Sequence, residues 1–267
     1  MSHHIVEARD LSYSYPDGTP ALAGVSFRIT HGESVGLIGQ NGAGKSTLLL
    51  HLNGIFPPAE GTVRVGDYPI TPKTLVHVRR AVGMVFQDPD DQLFMPTVRD
   101  DVAFGPRNLE LPEDEIARRV ETALSTVGAE HLADRPPYRL SGGEKRAVAI
   151  ATVLSMEPSI LIMDEPSANL DPGARRKLIH LLQSFTHTLI VATHDLDMVA
   201  EVCERTIVLK KGRIAADGPT RNILQNEELL LSCGLEKPLR MQGCPVCGNG
   251  PGQDWAPPKK TDGHHHH

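Results

Sequence analysis

The sequence predicts an α/β fold built on a mainly parallel sheet, and three observations carry that reading. Ser34-Val35-Gly36-Leu37-Ile38 is an unbroken apolar run that leads through a glycine-rich loop into the helical stretch Leu48–Leu52. Two more short apolar runs follow far downstream, Ile160–Asp164 and Thr188–Thr193, with Leu178, Leu181, Leu182 and Phe185 at helical spacing between them. Continuous apolar runs of strand length indicate strands buried on both faces. Strands that alternate with helices are joined by crossovers, which make the pairing parallel.

The remaining elements follow in order. Ile5–Leu11 and Val25–Ile29 read as strands around the turn-rich segment Tyr13–Gly18, and Gly61–Val65 and Ala81–Val85 as two more. From Asp100 to Leu140 the spacing turns helical. Pro112 followed by Glu113, Asp114 and Glu115 starts one helix, carried on by Ile116, Val120, Leu124 and Val127 and stopped by Arg135-Pro136-Pro137. Another helix opens at Leu140–Glu144 and runs past Leu154. Thr206–Leu209 and Arg213–Ala215 form a hairpin about Lys211-Gly212. Residues 88–154 therefore read as an inserted helical subdomain.

Composition narrows the function. The chain has 267 residues, 40% of them hydrophobic, which is enough for a core. A net charge of −6 and an aromatic content of 4% argue against a nucleic-acid binder, which needs basic surface and stacking platforms. No apolar run approaches the roughly 18 residues needed to span a bilayer, and no cleavable signal precedes the first strand, so a soluble cytoplasmic chain is expected. Of the four cysteines, Cys203, Cys233, Cys244 and Cys247, three crowd near the C-terminus, which is no disulfide framework.

The stretch Gly39-Gln40-Asn41-Gly42-Ala43-Gly44-Lys45-Ser46-Thr47 carries the clearest chemistry. Strand, glycine loop and helix in that order make a phosphate cradle: glycines turn backbone N–H groups inward, and the helix start adds unpaired donors. Lys45 supplies a mobile cation and the Ser46 hydroxyl a Mg²⁺ ligand. The competing reading is an ordinary glycine turn before a helix. Asp164, at the end of an apolar strand, is placed to hold a Mg²⁺ shell, and Glu165 beside it to take a proton from an attacking water; alternatively the two cap a loop. Leu140-Ser141-Gly142-Gly143-Glu144 is a second anion site or a plain helix cap. His194 can reach a phosphate oxygen or serve structure, and Gln87 can bind Mg²⁺, position water or cap its loop.

Taken together these motifs resemble the ATP-binding subunit of ABC transporters. Gly39–Ser46 matches Walker A, Ile160–Asp164 Walker B, Gln87 the Q-loop, Ala168–Asp171 the D-loop and His194 the switch histidine. Leu140–Glu144 resembles the LSGGQ signature with Glu144 in place of glutamine. The match runs from about Ile5 to Pro219 in family order. The resemblance implies a P-loop ATPase whose core sheet carries an N-terminal antiparallel β-subdomain and the helical insertion. Residues 1–222 would form the ATPase domain and 223–267 a C-terminal extension. It implies two copies packed head to tail around two ATP molecules. Gly39, Asn41, Gly42, Gly44, Lys45, Ser46 and Thr47 of one copy would face Ser141 and Gly143 of the other. Tyr15, or its rival Tyr13, would stack on adenine; Ser46, Gln87 and Asp164 would hold Mg²⁺; Glu165 would be the base and His194 the γ-phosphate sensor. Glu144 is expected to matter little, since Ser141 and backbone N–H groups do the gripping.

Gln87–Phe94 and Val102–Pro106 look like the corresponding segments of energy-coupling-factor ATPases, which power micronutrient importers. That resemblance implies a transmembrane coupling protein and substrate-binding membrane subunits as partners, a peripheral place on the inner face of the membrane, and cobalt favoured over nickel or a vitamin as cargo. A soluble family member acting on ribosomes or DNA is the alternative from another class. Cys244-Pro245-Val246-Cys247 has the spacing of half a zinc site, with a reversible dithiol or an idle tail as rivals. His264–His267 resemble a tag remnant.

Overall fold

The computed structural model describes residues 6–242. Its strands are β1 (Val6–Ser14), β2 (Pro20–Ile29), β3 (Ser34–Ile38), β4 (Glu60–Val65), β5 (Tyr68–Pro69), β6 (Val82–Val85), β7 (Ile160–Asp164), β8 (Thr188–Ala192), β9 (Arg205–Lys210) and β10 (Arg213–Pro219). Its α-helices are α1 (Lys45–Leu52), α2 (Leu75–Ala81), α3 (Val98–Asn108), α4 (Glu113–Val127), α5 (Gly142–Leu154), α6 (Pro172–Ser184), α7 (Leu196–Val202), α8 (Thr220–Gln225) and α9 (Glu227–Ser232).

The strands form two sheets. One has the order β2-β1-β4-β5 and is antiparallel throughout. The other has the order β10-β9-β3-β8-β7-β6; it is parallel from β6 to β9 and closes with the antiparallel hairpin β9–β10. Every residue of β3, β7 and β8 is buried, as their unbroken apolar runs require.

The parallel sheet separates two cores, and the two-residue period of a strand sorts its side chains between them. Ile160, Ile162 and Ile190 join Val6, Leu11 and Val63 of the antiparallel sheet and Leu48 and Leu49 of α1. Leu161, Met163, Leu189 and Val191 face the other way, against Val148, Ile150, Ile179 and Val199 of the helices. Each such buried aliphatic side chain contributes at most about 1.5–3 kcal/mol. Leu224, Leu230, Cys233 and Leu235, beyond the hairpin, are buried in that same second core.

Helices α3, α4 and α5 pack against one another as the helical insertion. Helix α4 buries Ile116, Val120, Ala123 and Leu124 on one stripe, carries three carboxylates in its first turn and stops at Gly128, which takes φ 70° as a left-handed C-cap.

The structure adds β5, α8 and α9, which the sequence reading did not place, and departs from expectation at further elements. Ala81 ends helix α2 instead of opening a strand, and β6 begins at Val82. Strand β1 runs on through Tyr13 and Ser14, which pair with Leu22 and Pro20, so the turn before β2 is shorter than expected. Helix α1 begins at Lys45, directly on the glycine loop. Among the described residues no helix is long and apolar enough to cross a membrane. Burial pushes the Cys203 thiol up to about 12, so it is inert. Cys244, Cys247 and His264–His267 lie outside the described residues.

Candidate nucleotide site

Strand β3, an interior strand of the parallel sheet, delivers the chain at its C-terminal end to Gly39, and the loop closes on α1. Two glycines make that path possible. A Cβ on Gly39 would lie 2.4 Å from the Leu209 carbonyl oxygen; on Gly44, at φ 103°, it would lie 2.6 Å from that of Ala21. Asn41 and Gly42 are exposed at the tip. Helix α1 has no side-chain cap and no acid in its first turn, so its starting N–H groups keep their pull on an outside anion.

Lys45 is buried, with Nζ donating to the carbonyls of Gly39 at 2.8 Å and Gln40 at 3.3 Å and lying 3.7 Å from Glu165 Oε1. Thr47 Oγ1 sits 2.7 Å from the Tyr15 hydroxyl. The Tyr13 ring packs instead on Phe56 and His51, at 5.3 and 4.7 Å between centroids. Tyr15 also meets Tyr13 at 5.4 Å and Phe56 at 6.2 Å, so both tyrosines belong to one aromatic cluster, and the contact of its hydroxyl with Thr47 is what sets Tyr15 apart.

The two carboxylates at the end of β7 have different surroundings. Asp164 is buried, and its Oδ1 has no hydrogen-bond partner in the described structure. Burial pushes its carboxyl above the ordinary range, opposed by a hydrogen bond from Ser46. A buried carboxylate oxygen without a donor, beside a hydroxyl, fits a hard cation such as Mg²⁺. Glu165 takes the left-handed conformation, φ 44°, with its N–H donating to Ala192 O at 2.8 Å. Its Oε2 accepts from Thr193 Oγ1 at 3.0 Å and from the His194 N–H at 3.3 Å, and lies 2.8 Å from His194 Nδ1. Asp164 and Glu165 therefore cap no helix. The His194 side chain is 65% exposed, leaving the far side of its ring open to a ligand.

Gln87 is exposed just past β6. Its loop is tied to α5 by residues that the sequence did not single out. The buried Arg146 donates to Phe86 O at 2.7 Å and also to Gln87 O. Gln92 accepts from the Phe86 N–H at 3.2 Å and donates to Ala149 O at 2.8 Å. Lys145 pairs with Asp90 at 2.6 Å, so Asp90 is not merely a solvated acid. Among these, a lone arginine amid the apolar spacing of α5 was the signal available.

Ser141 caps α5 in a reciprocal capping box with Glu144. Glu144 Oε2 accepts from the Ser141 N–H at 2.7 Å and from its hydroxyl at 2.8 Å. The carboxylate thus holds the very hydroxyl that the family resemblance assigns to phosphate, a contact the sequence reading did not weigh. Ser141 and Gly143 line a groove of about 860 Å³ between α5 and α6, which no residue from Gly39 to Thr47 lines. One chain thus gathers the cradle, Asp164, Glu165 and His194 on one side and displays Ser141 and Gly143 elsewhere.

The family model for ABC transporters matches residues 22–168. A Geobacter sulfurreducens chain described among ABC transporter ATP-binding proteins is 68% identical over 248 residues, covering 93% of this chain and 100% of its own. The energy-coupling factor transporter ATP-binding protein EcfA of Methanocaldococcus jannaschii is 46% identical over 240 residues, covering 88% of this chain and 86% of its own. The solved structure of cbiO1 from Clostridium perfringens, described as part of the ABC transporter complex cbiONQ, superposes with a TM-score of 0.76 at 42% identity, over 86% of this chain and 94% of that one. A dimeric ATP-binding cassette solved with ADP and Pi superposes at 0.73 with 29% identity, over 81% of this chain and 99% of that one. With its phosphate cradle, paired carboxylates and capped signature helix in family order, this chain belongs to the ABC transporter family, as an ATP-hydrolysing subunit of the energy-coupling-factor type.

Proposed function

We propose that this ATPase powers import of a transition-metal ion, cobalt in preference to nickel, through membrane-embedded partners, by ATP-driven closure of two copies packed head to tail. The observation that carries the reading is the likeness to cbiO1, which is described as part of cbiONQ. The separation of signature and cradle supports the pairing: no residue from Gly39 to Thr47 lines the groove that Ser141 and Gly143 line, so in this reading a second copy presents them to the cradle.

In this reading Gly39, Asn41, Gly42, Gly44, Lys45, Ser46 and Thr47 cradle the phosphates, and the Tyr15 ring stacks on adenine. Ser46, Asp164 and Gln87 would hold Mg²⁺, which would supply positive charge against the phosphate oxygens. Lys45 exchanges its carbonyl partners for phosphate oxygens. That exchange loosens Glu165, which accepts the proton of the attacking water, while His194 turns to the γ-phosphate. ATP shifts the pair toward closure because only the closed state offers both sets of donors.

Phe94, 63% exposed, and Phe104, 41% exposed, meet edge to face at 4.9 Å beside the Gln87 loop. Asp101 presents them, accepting from the N–H groups of Phe94 and Met95 at 3.0 Å each. An exposed aromatic pair suits a short apolar helix of a transmembrane coupling protein. Arg146, Gln92 and Lys145 would then carry its movement to α5 and Ser141. In this reading the chain sits on the inner face of the membrane through partners that also include substrate-binding subunits. The test is uptake of cobalt and of nickel by cells with and without the chain. Loss of cobalt uptake on deletion supports the reading; unchanged uptake of both metals, with the chain recovered on ribosomes, contradicts it.

A further inference from the structure

The start of α5 already carries an anion. The Ser141 N–H and hydroxyl both donate to Glu144 Oε2, at 2.7 and 2.8 Å, and Ser141 Oγ accepts from the Glu144 N–H at 3.4 Å. These hydrogen bonds hold the Glu144 carboxyl below the ordinary carboxylate range, so it is charged at neutral pH. Arg135 and His131 lie close enough to offset that charge in part, yet neither forms an ion pair with it among the described residues. Ser141 and Gly142 are exposed, and nothing lies within 4 Å of a Cβ built on Gly142, so this helix start is open to a partner from outside.

We infer that Glu144 is an internal competitor for the γ-phosphate: it occupies the Ser141 donors that a second copy's ATP must use, and so sets how much ATP is needed to close the pair. The inference rests on the head-to-tail reading above. A phosphate oxygen and a carboxylate cannot share the same two donors, and two anions brought within a few ångströms repel. The phosphate must therefore push the carboxylate aside. Glutamine at this position still caps the helix, because the capping box accepts Glu or Gln, but its neutral amide oxygen holds the Ser141 donors more weakly and does not repel a phosphate. Glu144→Gln thus separates the charge from the fold, and Glu144→Asp retains the charge.

The experiment measures dimerisation of the full chain by sedimentation against MgATP concentration, in a Glu165→Gln background that suppresses turnover. Adding Glu144→Gln is expected to lower the half-saturating ATP by about tenfold, and the gap should shrink in about 1 M salt, where the Debye length falls to about 3 Å. Glu144→Asp should gain nothing. Equal half-points with and without Glu144→Gln, or an equal gain from Glu144→Asp, would overturn the inference while leaving the dimer in place. If no ATP concentration pairs any of the proteins, the head-to-tail reading falls and the inference falls with it.

Discussion

The carboxylate of Glu165 lies 2.8 Å from His194 Nδ1 and 3.7 Å from Lys45 Nζ, bridging the switch histidine and the cradle lysine within one chain. Its backbone stands at φ 44° and its Oε2 also accepts from Thr193, so the side chain is aimed rather than loose. Replacing it with glutamine keeps the shape and removes the base. Glu165→Gln should slow phosphate release by about 10²–10⁴-fold while nucleotide binding, followed by titration calorimetry, persists. Wild-type turnover in this variant would remove Glu165 from the chemistry.

Lys45 is buried, and among the described residues its partners are two carbonyls and Glu165. Lys45→Ala removes a charge-assisted contact to phosphate, and ATP affinity should weaken by roughly 10–150-fold. Equilibrium binding of a fluorescent ATP analogue checks this; an unchanged dissociation constant would contradict the site.

Arg146 spans the carbonyls of Phe86 and Gln87 from α5, across about 60 residues of sequence. Arg146→Ala leaves both oxygens without their donor. It should cost about 3 kcal/mol and lower the melting temperature by roughly 6–12 °C. Arg146→Lys should recover only part, since an ammonium lacks the planar fork that reaches both carbonyls. A melting temperature within a degree of wild type for Arg146→Ala would show that the loop is held by other contacts.

His51 is fully buried behind the cradle, with Nδ1 2.8 Å from Thr47 O and Nε2 without a hydrogen-bond partner among the described residues. Burial lowers its pKa below the usual value, so the folded protein binds fewer protons there than the unfolded chain. Stability contributed by the neutral ring is therefore complete above pH about 6.5 and is lost as pH falls from there toward the depressed folded value. The slope is at most about 1.4 kcal/mol per pH unit. His51→Gln should flatten this part of the curve in urea unfolding between about pH 5 and 7. A variant with the wild-type acid slope would assign the loss to other groups.

Much of this architecture was legible because its signals are local. The glycine loop, the apolar β3, β7 and β8, the Lys211-Gly212 hairpin and the cap at Ser141 all announce themselves within a few residues. Helix α2 escaped notice because it is seven residues long and buries only Val78, too little for a period to show. Arg146 and Thr193 were missed because their partners lie 60 and 28 residues away. The same holds for Gln40, whose side chain donates to Gly234 O at 3.2 Å and pins the segment after α9 to the phosphate loop. Glu144 was seen, yet its consequence depends on where its carboxylate points, and only the coordinates show that it takes both Ser141 donors.

The central claim is that ATP is held between two copies of this chain. The most direct test is the sedimentation mass of Glu165→Gln with and without MgATP. Glu165→Gln should be a 29.0 kDa monomer without nucleotide and a stable dimer, with ATP retained, in its presence. A monomer that binds ATP at every protein concentration, and a wild-type protein that hydrolyses it at a rate independent of protein concentration, would contradict the account.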